Sequence, residues 1–176
     1  MRGSRASWLA GAAAALALLL ARPARGGEAL PPQVQASVFR RIFAYDPALR
    51  EAGRFKVLVV HGRLSAARAA DVVAAFEAEG VSATAADVEV AGAVVDGAAV
   101  LYALADVPAV PLAELARGRR LLTISGDADR IEQGRVAVAL RRRAGGQPEI
   151  LVHLPRLTAD GHELSARLLK LATVLP

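Results

Sequence analysis

Three short apolar runs decide what this chain can fold into: Phe55–Val60 (FKVLVV), Ala98–Leu104 (AAVLYAL) and Arg120–Ser125 (RLLTIS). Each is too short for an ordinary helix and too continuously apolar to leave one face in water. That is the pattern of a strand covered on both sides. Between them lie stretches with helical periodicity. Ser65 can cap a helix whose face carries Val72, Val73 and Phe76 and which stops at Gly80. A second helix falls within Val107–Arg117, at least from Pro111, and ends at Gly118. Val81–Val90, rich in Ala and Asp, is a weaker strand, and Asp127–Gln133 a short helical turn. Strands alternating with helices imply right-handed crossovers and a largely parallel sheet.

The two ends of the chain add detail. After Leu30-Pro31-Pro32, Val34, Val38 and Ile42 recur every four residues beside Phe39 and Phe43, which predicts a helix broken at Asp46-Pro47. Tyr45-Asp46 reads as helix-end packing and capping. Near the other end, Val136–Leu140 and Glu149–Leu154 flank the turn-forming Ala144-Gly145-Gly146-Gln147-Pro148, predicting a β-hairpin. Leu164, Leu168, Leu171, Ala172 and Leu175 then share one face of a closing helix, with Glu163, Arg167 and Lys170 opposite. The predicted fold class is α/β: a single-domain layered sandwich with a mixed, mostly parallel sheet, a C-terminal antiparallel hairpin and a closing helix.

Residues 1–26 read as an export signal. Arg2 and Arg5 precede an uncharged run from Trp8 to Leu20, and Ala24 and Gly26 offer a small-residue cleavage site. The run is shorter than the ~20 residues a bilayer requires; an uncleaved anchor is the alternative. The expected domain is residues 27–176, periplasmic after export. The whole chain has 22 basic and 17 acidic residues, but four of its arginines fall in 1–26, leaving 18 against 17. A nearly neutral domain attracts phosphate backbones weakly, and nucleic acid is not an expected partner. Without any Cys, stability must come from packing.

Catalytic and cofactor motifs are missing. Gly161-His162-Glu163 resembles the start of a zinc-protease helix, yet Ala166 stands where the second His is needed, so His162 reads as a solvated helix-start residue. Neither a Gly-x-Gly-x-x-Gly loop after the first strand nor a phosphate-binding loop is present, and Ser125 lies outside a Gly-x-Ser-x-Gly elbow. His153, inside an apolar run, reads as a hydrogen-bonded residue at the core edge. No enzyme, cofactor or metal is expected. In such a sheet ligands sit beyond the carboxyl ends of the strands, which selects His61, Arg63, Ser125 and Asp127 as a possible ligand crevice. Turn and capping chemistry at Gly62, Asp106, Gly126 and Asp127 explains the same residues.

The segment from Arg119 onward, with Gly134, Gly161, Ser165, Leu168, Leu169, Leu171, Ala172 and Val174 in a "G…lS..LL.LA.V" pattern, resembles the YfiR/HmsC-like periplasmic protein family. VQASVFRRIFAYDPAL is similar to the helix that opens the family domain. The chain departs from the family at Tyr45-Asp46-Pro47, where Trp-Pro is common, and at His153, where Asn is usual. It also lacks the cysteine pairs of several members, so a redox-sensing role does not carry over. The resemblance implies a non-enzymatic exported regulator. It would bind the periplasmic region of an inner-membrane diguanylate cyclase and restrain cyclic-di-GMP synthesis; self-association as a homodimer is implied too. Phe39, Ile42 and Phe43 on the opening helix, and the closing helix, are the expected contact surface. A periplasmic solute-binding module using the crevice is the alternative.

Overall fold

Val57 to Val60 carry no exposed surface, because alternate side chains of this strand enter two separate cores. The computed structural model describes residues 29–176; the expected export signal at 1–26 lies outside the described residues. The elements are α1 (Pro32–Phe43), α2 (Pro47–Ala52), β1 (Lys56–His61), α3 (Ala66–Ala78), β2 (Ser82–Asp87), a 3-10 turn at Ala91–Ala93, β3 (Ala98–Ala103) and α4 (Ala109–Ala116). They continue with β4 (Leu122–Ser125), α5 (Ala128–Glu132), β5 (Val138–Arg142), β6 (Pro148–His153), α6 (Leu154–Ala159), α7 (Ala166–Leu169) and β7 (Thr173–Leu175). The seven strands form one sheet in the order β2-β1-β3-β4-β5-β6-β7. All neighbours are parallel except β5 and β6, which pair antiparallel as the predicted hairpin. The α/β architecture read from the sequence is therefore the observed one.

Both faces of the sheet are covered. Val57, Val59, Val100, Tyr102, Leu122 and Ile124 meet α1, α2, α3, α6 and α7 on one side. Leu58, Val60, Leu101, Ala103 and Ala139 meet α4, α5 and the 3-10 turn on the other. The period-two alternation of strand side chains sorts these residues between the layers.

The opening helix turns a different face inward from the one its valines suggested. Val34 is exposed, whereas Gln35, Phe39, Ile42 and Phe43 are buried. Phe39 packs edge-on to Tyr102 and Phe43 edge-on to Phe55, with ring centroids 6.0 and 5.3 Å apart, arrangements aromatic quadrupoles favour. Phe39, Ile42 and Phe43 are 0, 1 and 3% exposed. The expectation that they form a contact surface is thus corrected: they are the centre of the larger core.

The closing helix is also shorter than its leucine spacing suggested. Leu164 and Leu168 are buried as expected, but α7 ends at Leu169 and Leu171 is 70% exposed. Thr173–Leu175 leave the helix to pair with Leu151–His153 of β6. A β-branched tail satisfies the backbone of an otherwise open sheet edge. Leu168→Ala is expected to cost about 2 kcal/mol, at the low end for a buried leucine because a single terminal turn can close over the gap. Leu171→Ala should change stability by less than about 0.5 kcal/mol. Urea unfolding of the two variants checks the contrast; equal losses would restore a full-length helix.

Candidate functional site

The strand order reverses between β1 and β3, and in open α/β sheets that reversal usually opens the ligand crevice. Here Asp106, just past β3, closes it. Its carboxylate accepts hydrogen bonds from the Gly62 amide at 3.1 Å and from the Ser65 hydroxyl. Burial works to raise the Asp106 pKa, but these bonds outweigh it and hold the carboxyl below its usual range. The approach is close: a side chain on Gly62 would come within 2.6 Å of the second Asp106 oxygen.

With that gap stitched shut, a cavity of about 540 Å³ opens one strand further along, beyond the carboxyl ends of β3, β4 and β5. Its apolar lining includes Leu30, Leu104 and Leu140, and Tyr102 contributes from the strand. Charged side chains come from opposite layers: Arg68 from α3, and Asp127, Asp129 and Glu132 from the start and length of α5. Arg141 completes the rim, but its Nε donates to Glu149 at 2.9 Å and its Nη1 to Glu132 at 3.4 Å. That bond to Arg141, with another from Thr173, brings the Glu149 pKa down to about 2. The volume lies within the ~300–1,000 Å³ typical of small-molecule sites.

A buried hydrogen-bond chain shapes the floor. Gln35, 1% exposed, donates from Nε2 to the Leu30 carbonyl at 2.6 Å and accepts from the Tyr102 hydroxyl. Burial drives the Tyr102 pKa far upward, so the phenol stays a neutral donor. The chain ties the first described residues of the protein to β3 directly beneath the cavity. Below α5, Arg130 is almost wholly buried and donates from Nη2 to the Val107 carbonyl, anchoring that helix to the β3–α4 loop. Burial lowers its pKa, against the attraction of Asp127.

Of the four residues selected from the sequence, Ser125 and Asp127 line the cavity and His61 and Arg63 do not. The Ser125 hydroxyl is spent internally, donating to the Ala103 carbonyl at 2.8 Å and accepting from the Asp127 amide at 3.1 Å. Asp127 caps α5 through the Asp129 amide. His61 places Nδ1 2.8 Å from the Gly62 carbonyl oxygen, and exposed Arg63 pairs with Glu89 at 2.9 Å. His61 and Arg63 are excluded because Asp106 seals their end of the sheet. Arg68, Tyr102, Asp129, Glu132 and Arg141 were missed; Arg68 and Asp129 stand in the first helical turns after strand ends, the one pattern that could have marked them.

The other histidines are structural. His153 caps α6, its Nδ1 accepting from the Arg156 amide at 3.1 Å, as a core-edge residue should. His162 is not solvated, contrary to the sequence reading. It is 5% exposed, with Nδ1 2.6 Å from Asp46 Oδ2 and Nε2 3.0 Å from the Arg120 carbonyl. Asp46 meanwhile caps α2 through the Ala48 and Leu49 amides, the role its sequence position suggested. Among the described residues, no group of three or more His, Cys, Asp or Glu could hold a metal ion.

No protein-family model matches the chain, and no curated protein matches it. Solved structures do. One is described as the ABC domain in complex with L-Trp from Streptococcus pneumoniae, at 8% identity and a TM-score of 0.62; it covers 82% of this chain and 60% of its own. Another, a conserved domain protein from Vibrio cholerae, has 12% identity and a TM-score of 0.59 with the same coverages. At such identities the likeness shows the fold alone. The chain spans 60% of the length of each neighbour. No helix among the described residues is long and apolar enough to cross a membrane.

Proposed function

We propose that this chain is an exported, non-enzymatic regulatory protein that binds the periplasmic region of an inner-membrane diguanylate cyclase and restrains cyclic-di-GMP synthesis by protein contact. The observation that carries the contact is a set of exposed apolar side chains at the carboxyl end of the sheet. Leu64, Val90 and Val110 are 94, 59 and 68% exposed and stand on the segments that follow β1, β2 and β3. The Arg63–Glu89 pair and the Gly62–Asp106 bond tie those segments together. Apolar exposure on linked neighbouring segments suits a macromolecular partner. It takes the place of the buried Phe39, Ile42 and Phe43.

The cyclase reading rests on the resemblance to the YfiR/HmsC-like family, and the residues of that pattern have structural roles in this chain. Gly161 has φ of +76°, which favours glycine. Ser165 caps α7 by accepting from the Leu168 amide, and Leu168 is buried in the core. Pull-down from membrane extracts with residues 27–176 as bait is expected to recover a diguanylate cyclase. Leu64→Asp should lower the recovery at least tenfold with an unchanged melting temperature. Recovery unaffected by the substitution would contradict the contact surface.

The cavity favours a second reading, a solute-binding module. It lies where α/β sheets take ligands, and one structural neighbour was solved with L-Trp. Saturable thermal stabilisation by a small solute, without recovery of any cyclase, would favour this reading over the first.

A further inference from the structure

The cavity carries more information than its volume. Its charged lining divides by which groups are already engaged. Arg141 is held by Glu149 and Glu132, which consumes that cation and one of the rim carboxylates. Among the described residues, Arg68 and Asp129 make no side-chain hydrogen bond or ion pair, and Asp127 uses one carboxylate oxygen to cap α5 and leaves the other uncommitted. One free cation therefore faces the opening from α3, and two carboxylates face it from α5 on the opposite layer. The same cavity is lined by Leu30, Leu104 and Leu140, each no more than 4% exposed.

The geometry points to a zwitterionic amphiphile of amino-acid size as the occupant, its carboxylate toward Arg68, its ammonium toward Asp127 and Asp129, and its apolar side chain over the leucines. A guanidinium is suited to a carboxylate, with which it forms paired charge-assisted bonds. Two carboxylates suit an ammonium, which carries three donors. A ligand with a single charge satisfies one wall and leaves the other to solvent; a dianion or dication faces one wall of its own sign. The inference concerns the cavity alone: it names the ligand class of the solute-binding reading, and under the regulatory reading it would supply an input to the regulator.

Isothermal titration of residues 27–176 tests it with L-leucine, L-phenylalanine and L-tryptophan, against phenethylamine, which lacks the carboxylate, and 3-phenylpropionate, which lacks the amine. At least one amino acid is expected to bind saturably at micromolar to millimolar concentration, and both single-charge analogues at least tenfold more weakly. Arg68→Ala and Asp129→Asn, at exposed positions without structural bonds, should each weaken the amino acid at least tenfold while melting as the wild type does. The inference is overturned if no amino acid binds, if a single-charge analogue binds equally well, or if both variants bind as the wild type does. None of those results touches cyclase recovery in the pull-down, so failure here and failure of the regulatory reading are separable.

Discussion

His162→Ala is expected to lower the unfolding free energy by about 4 kcal/mol near pH 6, the cost of leaving one member of a buried charged pair without its partner. The His162 ring stands between two acceptors, Asp46 Oδ2 and the Arg120 carbonyl. A ring with a proton on each nitrogen satisfies both. Removing it leaves Oδ2 of Asp46, a residue 0% exposed, without its charged partner, with only Oδ1 still held by the Ala48 and Leu49 amides, and takes the donor from the Arg120 carbonyl. It also disconnects α2 from the loop before β4, since Asp46 belongs to the first and Arg120 to the second. Burial alone would lower the His162 pKa; the bonds to Asp46 and Arg120 and the charges of Asp46 and Asp160 outweigh it, and the pKa is raised. Asp160, the other carboxylate near the ring, is engaged by Thr123 and Arg156, and its own pKa is raised by burial. A raised histidine pKa gives a definite sign. The stabilisation is complete below the unfolded value of about 6.5 and is lost as pH rises through the higher folded value. Denaturant unfolding of wild type and His162→Ala across this range should therefore show the difference between them shrinking toward alkaline pH. A difference that is constant or grows would mean the ring is neutral in the folded protein.

Gly126→Ala is expected to cost about 3 kcal/mol, combining overpacking of a full site with loss of a buried hydrogen bond. The added methyl would overlap Gln35 Oε1 and lie 2.6 Å from the Tyr102 hydroxyl oxygen. Gln35 cannot simply swing aside, because its amide is held at both ends by Leu30 and Tyr102. The corresponding fall in melting temperature is roughly 6–12 °C for a domain of this size. Gln35→Ala in the Gly126→Ala background supplies the control. It removes the nearest of the obstructing atoms, so the second substitution should cost less there than in the wild type, a coupling readable by a double-mutant cycle. Additive costs would show that the glycine is needed for some other reason.

The strands were legible because a chain that is apolar without alternation has few places to go: FKVLVV and RLLTIS had to be covered on both faces. The hairpin was legible from its turn residues, and Asp46-Pro47 from the pairing of a capping side chain with a first-turn proline. What was hidden depended on partners distant in sequence. The bond from His162 crosses 116 positions to Asp46, and nothing near Gly161-His162-Glu163 distinguishes a buried ion pair from a solvated ring. The terminal helix was overextended for a similar reason. Leu164, Leu168, Leu171 and Leu175 keep helical spacing, but the open edge of β6 claims Thr173–Leu175, and a pairing partner leaves no periodic mark. At the site, the rule of strand carboxyl ends selected Ser125 and Asp127, which line the cavity, together with His61 and Arg63, which do not. The Asp106 side chain that shuts the crevice between β1 and β3 acts across loops 41 and 44 residues apart.

Buried His162, Asp46 and Arg130 hold the fold, while Arg68, Asp127 and Asp129 line a cavity. Three of the protein's exposed apolar side chains, Leu64, Val90 and Val110, stand on the segments after β1, β2 and β3 at one end of the sheet. The proposed consequence is restraint of a membrane cyclase, and the most direct measurement is cellular cyclic-di-GMP in the native host with the gene deleted and then restored. Deletion should raise the nucleotide, wild-type protein should bring it back down, and the Leu64→Asp protein should not. A level unchanged by deletion, or restored equally by the Leu64→Asp protein, would contradict the account.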